Sequence, residues 1–353
     1  MYNLNVNLPD KKYQIVIKKG IMSEIGEKIK EIYKAKKIAV ITDTNVNKIY
    51  GDKLKDDLEK SGFEVDFVVV EAGEKSKSIS VLESVYDKLL SFGMTRGDMI
   101  ITFGGGVVGD LGGFAASTLL RGIKFIQIPT SLLAQIDSSI GGKVAVNLPK
   151  GKNLVGSFYH PEIVFIDPDL LKTLDKRFIA DGMAEVIKYG CIRDKKLFDK
   201  LLGYSSEEEL FENIEEVIYN CCDIKREVVE SDEKDLGIRM ILNFGHTLGH
   251  VIENYFNYEK YTHGEGVAMG MYHITMKSEE LGITKKGSAE LIKQALLKYK
   301  LPYELPKMPS ENILETINLD KKSHVDSISL VLLEEIGNCF LKKINRSEIF
   351  DYI

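Results

Sequence analysis

Tryptophan is absent from this chain, and cysteine is scarce: four in 353 residues, at Cys191, Cys221, Cys222 and Cys339, without a Cys-x-x-Cys spacing. That excludes a disulfide framework and a thiolate metal site, and leaves reduced thiols packed as small hydrophobes. No apolar run approaches the length of a membrane span, and the opening MYNLNVNLPD lacks the basic and apolar regions of a signal peptide, so a cytoplasmic location away from membranes is expected. There is no excess of positive charge. The formal net charge is −6 with Lys and Arg scattered, which argues against a nucleic-acid surface and requires local cationic clusters for any anionic ligand. Repeats and low-complexity tracts are missing too.

What remains is 44% hydrophobic and 28% charged residues, the profile of a globular chain with room for two domains. Short apolar strands at Lys37–Ile41, Val65–Val70, Met99–Phe103 and Phe125–Ile128 alternate with helical stretches at Val46–Ser61 and Ile79–Phe92. That order indicates βαβ units and a mostly parallel sheet. Tyr2–Leu8 and Tyr13–Ile17 read as an added hairpin, and Ile163–Ile166 as a further strand. Leu132–Pro161, rich in Gly, Ser and Lys, fits neither element. After Pro168 the apolar spacing turns helical over Arg177–Cys191, Leu210–Val229, Ile238–Phe256, Gly264–Leu281 and Ser288–Tyr299. Ser327–Leu333 and Cys339–Ile344 suggest one late hairpin about Gly337. The expectation is an α/β nucleotide-binding domain over 1–175 and an all-helical metal- and substrate-binding domain over 176–353.

Phe103-Gly104-Gly105-Gly106-Val107-Val108-Gly109-Asp110 follows an apolar strand and opens a helix. Glycines there let backbone approach a ligand, and a helix start offers N–H groups to a pyrophosphate. Gly104, Gly106 and Gly109 satisfy GxGxxG, but not after the first strand and not with an acid about 20 residues on. The plain alternative is a tight packing turn. Two further turns favour a nucleotide: Asp43-Thr44-Asn45 and Gly73-Glu74-Lys75-Ser76-Lys77 end neighbouring strands, where open α/β sheets bind ligands. Asp43 or Glu74 suits ribose hydroxyls, and Thr130 and Ser131 suit the nicotinamide end. Each is also an ordinary helix-capping type.

Metal-ligand types gather elsewhere. Glu185 and Lys188 sit mid-helix in the apolar GMAEVIKYG, His246 and His250 lie one helical turn apart, and His263 opens the next helix. Four of the six histidines fall between His246 and His273. One carboxylate and two imidazoles make an open catalytic zinc set. Spacing alone favours His246 and His250 as the imidazole pair and cannot assign ligand against acid or base. Cations and amides surround these motifs: Lys143, Lys152 and Asn153 with Asp137 in the segment joining the domains, then Lys188, Lys225, Arg239 and Asn243, then Asp320-Lys321-Lys322. Such groups suit a substrate bearing phosphate and carboxylate. Solvated surface lysine is an equal reading of Lys321 and Lys322.

Taken in order, DTNV, GEKSK, GGGVVGDLGGFAAS, RG, IPTSLLAQIDSSIGGK, GKN, GMAEVIKYG, LNFGHTLGH, HGEGVAMGM and DKK resemble the 3-dehydroquinate synthases over essentially the whole chain. The resemblance implies a metal, zinc or cobalt, on Glu185, His246 and His263, with His250 beside the substrate. It implies NAD on Asp43, Asn45, Lys48, Glu74, Lys77, Gly105, Gly106, Val107, Asp110, Thr130, Ser131, Leu170, Thr173 and Leu174, with Asp137, Lys143 and Lys152 nearby. Substrate contacts carried over are Asp137, Lys143, Lys152, Asn153, Lys188, Lys225, Arg239, Asn243 and His250, with Arg121 supplied by a homodimer partner. The implied reaction converts 3-deoxy-D-arabino-heptulosonate 7-phosphate to 3-dehydroquinate and phosphate through oxidation, phosphate elimination, re-reduction, ring opening and aldol closure. Other sugar phosphate cyclases and metal-dependent polyol dehydrogenases are the neighbouring alternatives. Two departures stand out: Asp235 where the family usually has Glu, four residues before Arg239, and Val144-Ala145 where it usually has Thr-Gly, removing a hydroxyl near the pocket.

Overall fold

Strands that are apolar on both faces need cover on both sides, and residues Met1–Leu174 supply it. The structure is a computed structural model describing residues 1–34, 36–309 and 327–353. The first unit runs β1 (Tyr2–Asn7), β2 (Lys12–Ile17), α1 (Ile25–Ile32), β3 (Lys37–Asp43), α2 (Thr44–Val46), α3 (Asp52–Lys60), β4 (Glu64–Val70), α4 (Ile79–Ser91), β5 (Met99–Gly104), α5 (Gly106–Thr118), β6 (Lys124–Pro129), β7 (Lys143–Leu148), β8 (Gly151–Phe158) and β9 (Ile163–Ile166). Seven strands form one sheet in the order β1-β2-β9-β6-β5-β3-β4, antiparallel between β1 and β2 and parallel elsewhere. Along β3, Ile38 and Val40 join one buried cluster with Ile25, Ile29, Leu54 and Leu58, while Ala39 and Ile41 join another with Leu82, Val85, Leu111 and Ala115. Alternate side chains on one strand thus feed two cores. The helical stretch expected from Val46 is continuous but not uniform, widening over Asn47–Gly51 between α2 and α3.

The unassigned stretch after Leu132 has structure of its own. Ala134–Ser138 is helical, and β7 and β8 form an antiparallel hairpin. Its glycines and lysines hid the signal; within the hairpin Val144 and Val146 join the buried cluster that holds Leu111 and Ala115 of α5. Lys143, Lys152 and Asn153 therefore stand on or beside paired strands rather than in a nonperiodic loop. Val144 is 2% exposed in that core.

The second unit, Asp175–Ile353, holds α6 (Lys176–Ile192), α7 (Lys195–Gly203), α8 (Glu207–Glu212), α9 (Ile214–Ser231), α10 (His246–Tyr255), α11 (His263–Glu280) and α12 (Ser288–Lys298), closed by the expected hairpin β10 (Ser327–Glu335) and β11 (Asn338–Asn345). Short α7, capped by Asp194, escaped the periodicity reading. Asn213 divides the expected Leu210–Val229 helix into α8 and α9. Ile238–Asn243 is a separate 3-10 turn, because Gly245 takes φ 80° before α10 begins. No helix among the described residues is long and apolar enough to cross a membrane. Cys191, Cys221, Cys222 and Cys339 are free thiols, the first three buried.

Candidate metal centre and nucleotide turn

Three helices of the second unit bring Glu185, His246 and His263 together. Close backbone approach makes this possible. A Cβ on Gly249 would meet Gly266 backbone at 3.1 Å, and one on Gly264 would lie 2.1 Å from the Asp181 carbonyl oxygen, so only glycine lets α10 and α6 approach α11 this closely. The start of α11 is pinned further: Thr262 and Glu265 form a capping box, and Arg177 grips Glu265 through Nε and Nη2 at 2.9 Å each. Asp181 Oδ1 accepts the Gly264 N–H at 2.5 Å.

Glu185 is fully buried, and so is Lys188, with which it forms an ion pair one turn along α6. Nε2 of His246 and Nε2 of His263 each lie 3.5 Å from the same Glu185 Oε1. Their other ring nitrogens are engaged: His246 Nδ1 with the Phe244 carbonyl at 3.1 Å, and His263 Nδ1 with Glu253 Oε2 at 3.3 Å. Such partners fix the tautomer that turns an Nε2 lone pair inward. Burial pushes His246 down to about 3, keeping it neutral and able to ligate. Burial also opposes charge on His263, but Glu253 and Glu185 outweigh it and hold that imidazole well above its ordinary value, so a cation binding at its Nε2 would displace a proton. One carboxylate and two oriented imidazoles, with ligand atoms within 4.8 Å of one another, suit a divalent cation of the zinc type.

His250, half of the pair that spacing favoured, is exposed and groups instead with Glu253 and His263. Glu253 was missed, although its place seven residues after His246 and three after His250 puts it on their face of α10. Lys188, Lys225 and Arg239 are all buried, unusual for cations; Arg239 donates to the Glu233 carbonyl at 2.6 Å. Asn243 ends the 3-10 turn and is half-buried. Asp235 takes φ 59°, a left-handed conformation that Asp tolerates better than Glu, which accounts for the shorter acid there. Asp320, Lys321 and Lys322 lie outside the described residues.

In the first unit, β4, β3 and β5 are neighbours and parallel, so Glu74, Asp43 and Gly105 share one edge of the sheet. Gly105 is the N-cap of α5 and has no side chain to cap it with; a Cβ on Gly106 would crowd Ser138 Oγ at 3.1 Å. Val107 follows in the first turn, and Asp110, one turn on, pairs with Lys77. Asp43 caps α2, accepting from Asn45 and Val46 N–H at 2.9 and 3.0 Å. Ser131 accepts from Ala134 N–H at 3.3 Å, and Thr130 is buried beside the Gly104 carbonyl. Asn45 and Lys48 are exposed on α2 and the widened turn after it. Thr173 bonds Tyr50 at 2.7 Å, between buried Leu170 and half-buried Leu174. Glycine backbone at a helix start between polar strand ends fits a dinucleotide pyrophosphate. Asp137 and Ser138 close the short helical turn before the hairpin. Arg121 is exposed beyond the end of α5, where Leu120, Arg121 and Gly122 take φ 52°, 71° and 120° in succession.

The fold of the chain is similar to that of two solved synthases. One is 2-deoxy-scyllo-inosose synthase complexed with carbaglucose-6-phosphate, NAD+ and Co2+, at TM-score 0.86 and 24% identity over 99% of this chain and 98% of that one. The other is 2-epi-5-epi-valiolone synthase of Streptomyces hygroscopicus with NAD+ and Zn2+ bound, at TM-score 0.85 and 24% identity over 98% of this chain and 96% of that one. Sequence narrows the class: residues 67–181 match the 3-dehydroquinate synthase N-terminal model and residues 182–323 the C-terminal model, and the chain belongs to that family. The 3-dehydroquinate synthase of Clostridium botulinum is 59% identical over 98% of this chain and 99% of the relative, and that of Enterococcus faecalis 44% over 98% and 97%.

Proposed function

We propose that this protein converts 3-deoxy-D-arabino-heptulosonate 7-phosphate to 3-dehydroquinate and phosphate, as a cytoplasmic homodimer using NAD and a divalent metal, zinc or cobalt. The observation that carries this reading is the full-length kinship with 3-dehydroquinate synthases at 59% identity. Glu185, His246 and His263 would hold the cation; Asp43, Asn45, Lys48, Glu74, Lys77, Gly105, Gly106, Val107, Asp110, Thr130, Ser131, Leu170, Thr173 and Leu174 would hold the nucleotide. Bound there, NAD supplies a hydride acceptor restored within each turnover, and the cation a Lewis acid for a substrate hydroxyl.

The chain's own residues position and neutralise. Lys143 and Lys152 place two ammonium groups, and Asn153 an amide, on the leaving phosphate, lowering the cost of charge that develops as the C–O bond breaks. Asp137 orients these groups and the substrate hydroxyls. Lys188, Lys225 and Arg239, with Asn243, meet the carboxylate end, and their burial strengthens each contact. His250 moves a proton at its exposed imidazole, and Asp235 holds Arg239. Arg121 reaches the phosphate of the neighbouring subunit.

The test is stoichiometric. With substrate, NAD and zinc, one phosphate should appear per substrate consumed, with no steady rise in NADH absorbance. Stoichiometric NADH would instead favour a polyol dehydrogenase. A different carbocycle as product would favour another sugar phosphate cyclase.

A further inference from the structure

The β7–β8 hairpin meets the segment after β4 at Asn147, through both its backbone and its side chain. Val146 pairs with Val155 and Leu148 with Gly151, so the register shifts at Asn147. At that shift Asn147 bonds both within the hairpin and across to the segment after β4. Its N–H donates to the Lys77 carbonyl at 2.8 Å. Its Nδ2 donates to Glu74 Oε1 at 2.7 Å, and its Oδ1 accepts the Asn153 N–H at 2.9 Å. The amide orientation is dictated by these partners, because a carboxylate can only accept and a backbone N–H can only donate. Asn153 itself takes φ 55°, a conformation that needs support from its surroundings.

The side-chain amide of Asn147 therefore ties Glu74, and its backbone N–H ties Lys77, both proposed for the nucleotide, to the turn carrying two residues proposed for phosphate, Lys152 and Asn153. We propose that Asn147 is a positioning residue that couples nucleotide binding at Glu74 and Lys77 to phosphate-group binding at Lys152 and Asn153. The inference rests on the two sites assigned under the proposed function. A ligand that fixes Glu74 fixes the amide, and the amide fixes the Asn153 backbone, so each ligand lowers the ordering cost of the other. Such coupling is reciprocal by thermodynamic necessity.

Titration calorimetry on the full-length, zinc-loaded protein tests it, with NAD and inorganic phosphate as probes, each measured with and without the other. The unmodified protein should bind phosphate about fivefold or more tightly when NAD is saturating, and NAD more tightly with phosphate by the same factor. Asn147→Ala should bring that factor to about one while each ligand still binds alone. Asn147→Asp keeps the acceptor for Asn153 but sets a carboxylate against Glu74. It should lose the coupling and weaken NAD more than phosphate, and it serves as the readout if the alanine variant does not fold. A loss of general stability would not produce that asymmetry. Glu74→Gln and Lys152→Ala are the controls for the two sites. If neither weakens its own ligand, the site assignments fail and the coupling with them. If both do, but Asn147→Ala and Asn147→Asp retain the full factor, or the unmodified protein shows none, the coupling alone is wrong.

Discussion

Glu185 is a buried carboxylate in an apolar helix, paired with Lys188 along α6 and faced by two imidazoles from other helices. Replacing Glu185, His246 or His263 by Ala should remove most bound metal by elemental analysis, whereas His250→Ala should retain it and lose turnover. Metal content near normal in His246→Ala, or a triad-like loss in His250→Ala, would refute the assignment. Glu253 acts through His263, so Glu253→Gln should weaken metal binding by roughly 10–100-fold with the ligands intact; competition against a chromophoric chelator measures it. The residue types were legible because Glu185, His246 and His263 stand in distinctive motifs. Helical spacing could not choose His263 over His250, since that choice depends on where α11 begins relative to α6.

Elements decide whether those side chains converge. Gly264 and Gly249 act by what they lack, because a methyl group at 264 would lie 2.1 Å from the Asp181 carbonyl. Gly264→Ala should therefore destabilise the protein by about 1–3 kcal/mol in urea unfolding and lower its metal content. Gly203→Ala is the control: a Cβ there meets nothing within 4 Å, and it should be neutral or slightly stabilising. A Gly264→Ala protein as stable and metal-rich as the parent would mean the helices can part without consequence. The parallel strands were readable as apolar runs bounded by turns, and β3 and β9 begin where the sequence placed them. The β7–β8 hairpin was not, because the cover for Val144 and Val146 comes from α4 and α5, distant in sequence, and the break at Asn213 carries no Pro or Gly to announce it.

At the scale of the whole molecule, the proposed homodimer rests its shared site on Arg121. Leu120 and Arg121 hold left-handed backbone conformations that cost of order 1–3 kcal/mol each, and they present an exposed guanidinium rather than extending α5. A cation closing the C-terminus of α5 would account for the charge, though not for the strain. Differently tagged subunits, one Arg121→Ala and the other Lys152→Ala, should restore one working site per mixed dimer while both parent homodimers stay nearly inactive. A mixed dimer no more active than its parents would return Arg121 to its own subunit. The sequence by itself determined the parallel sheet, the helical second half and the ordered motifs that mark the family, because strand and helix periodicity and glycine turns are local properties of the chain. Spacing could not place His263 rather than His250 against Glu185, where the family motifs could; tertiary structure alone decided that Glu253 orients His263 and that Asn147 joins two turns. Each of those depends on how closely helices or a hairpin and a strand end approach, a distance set by packing between segments far apart in the chain.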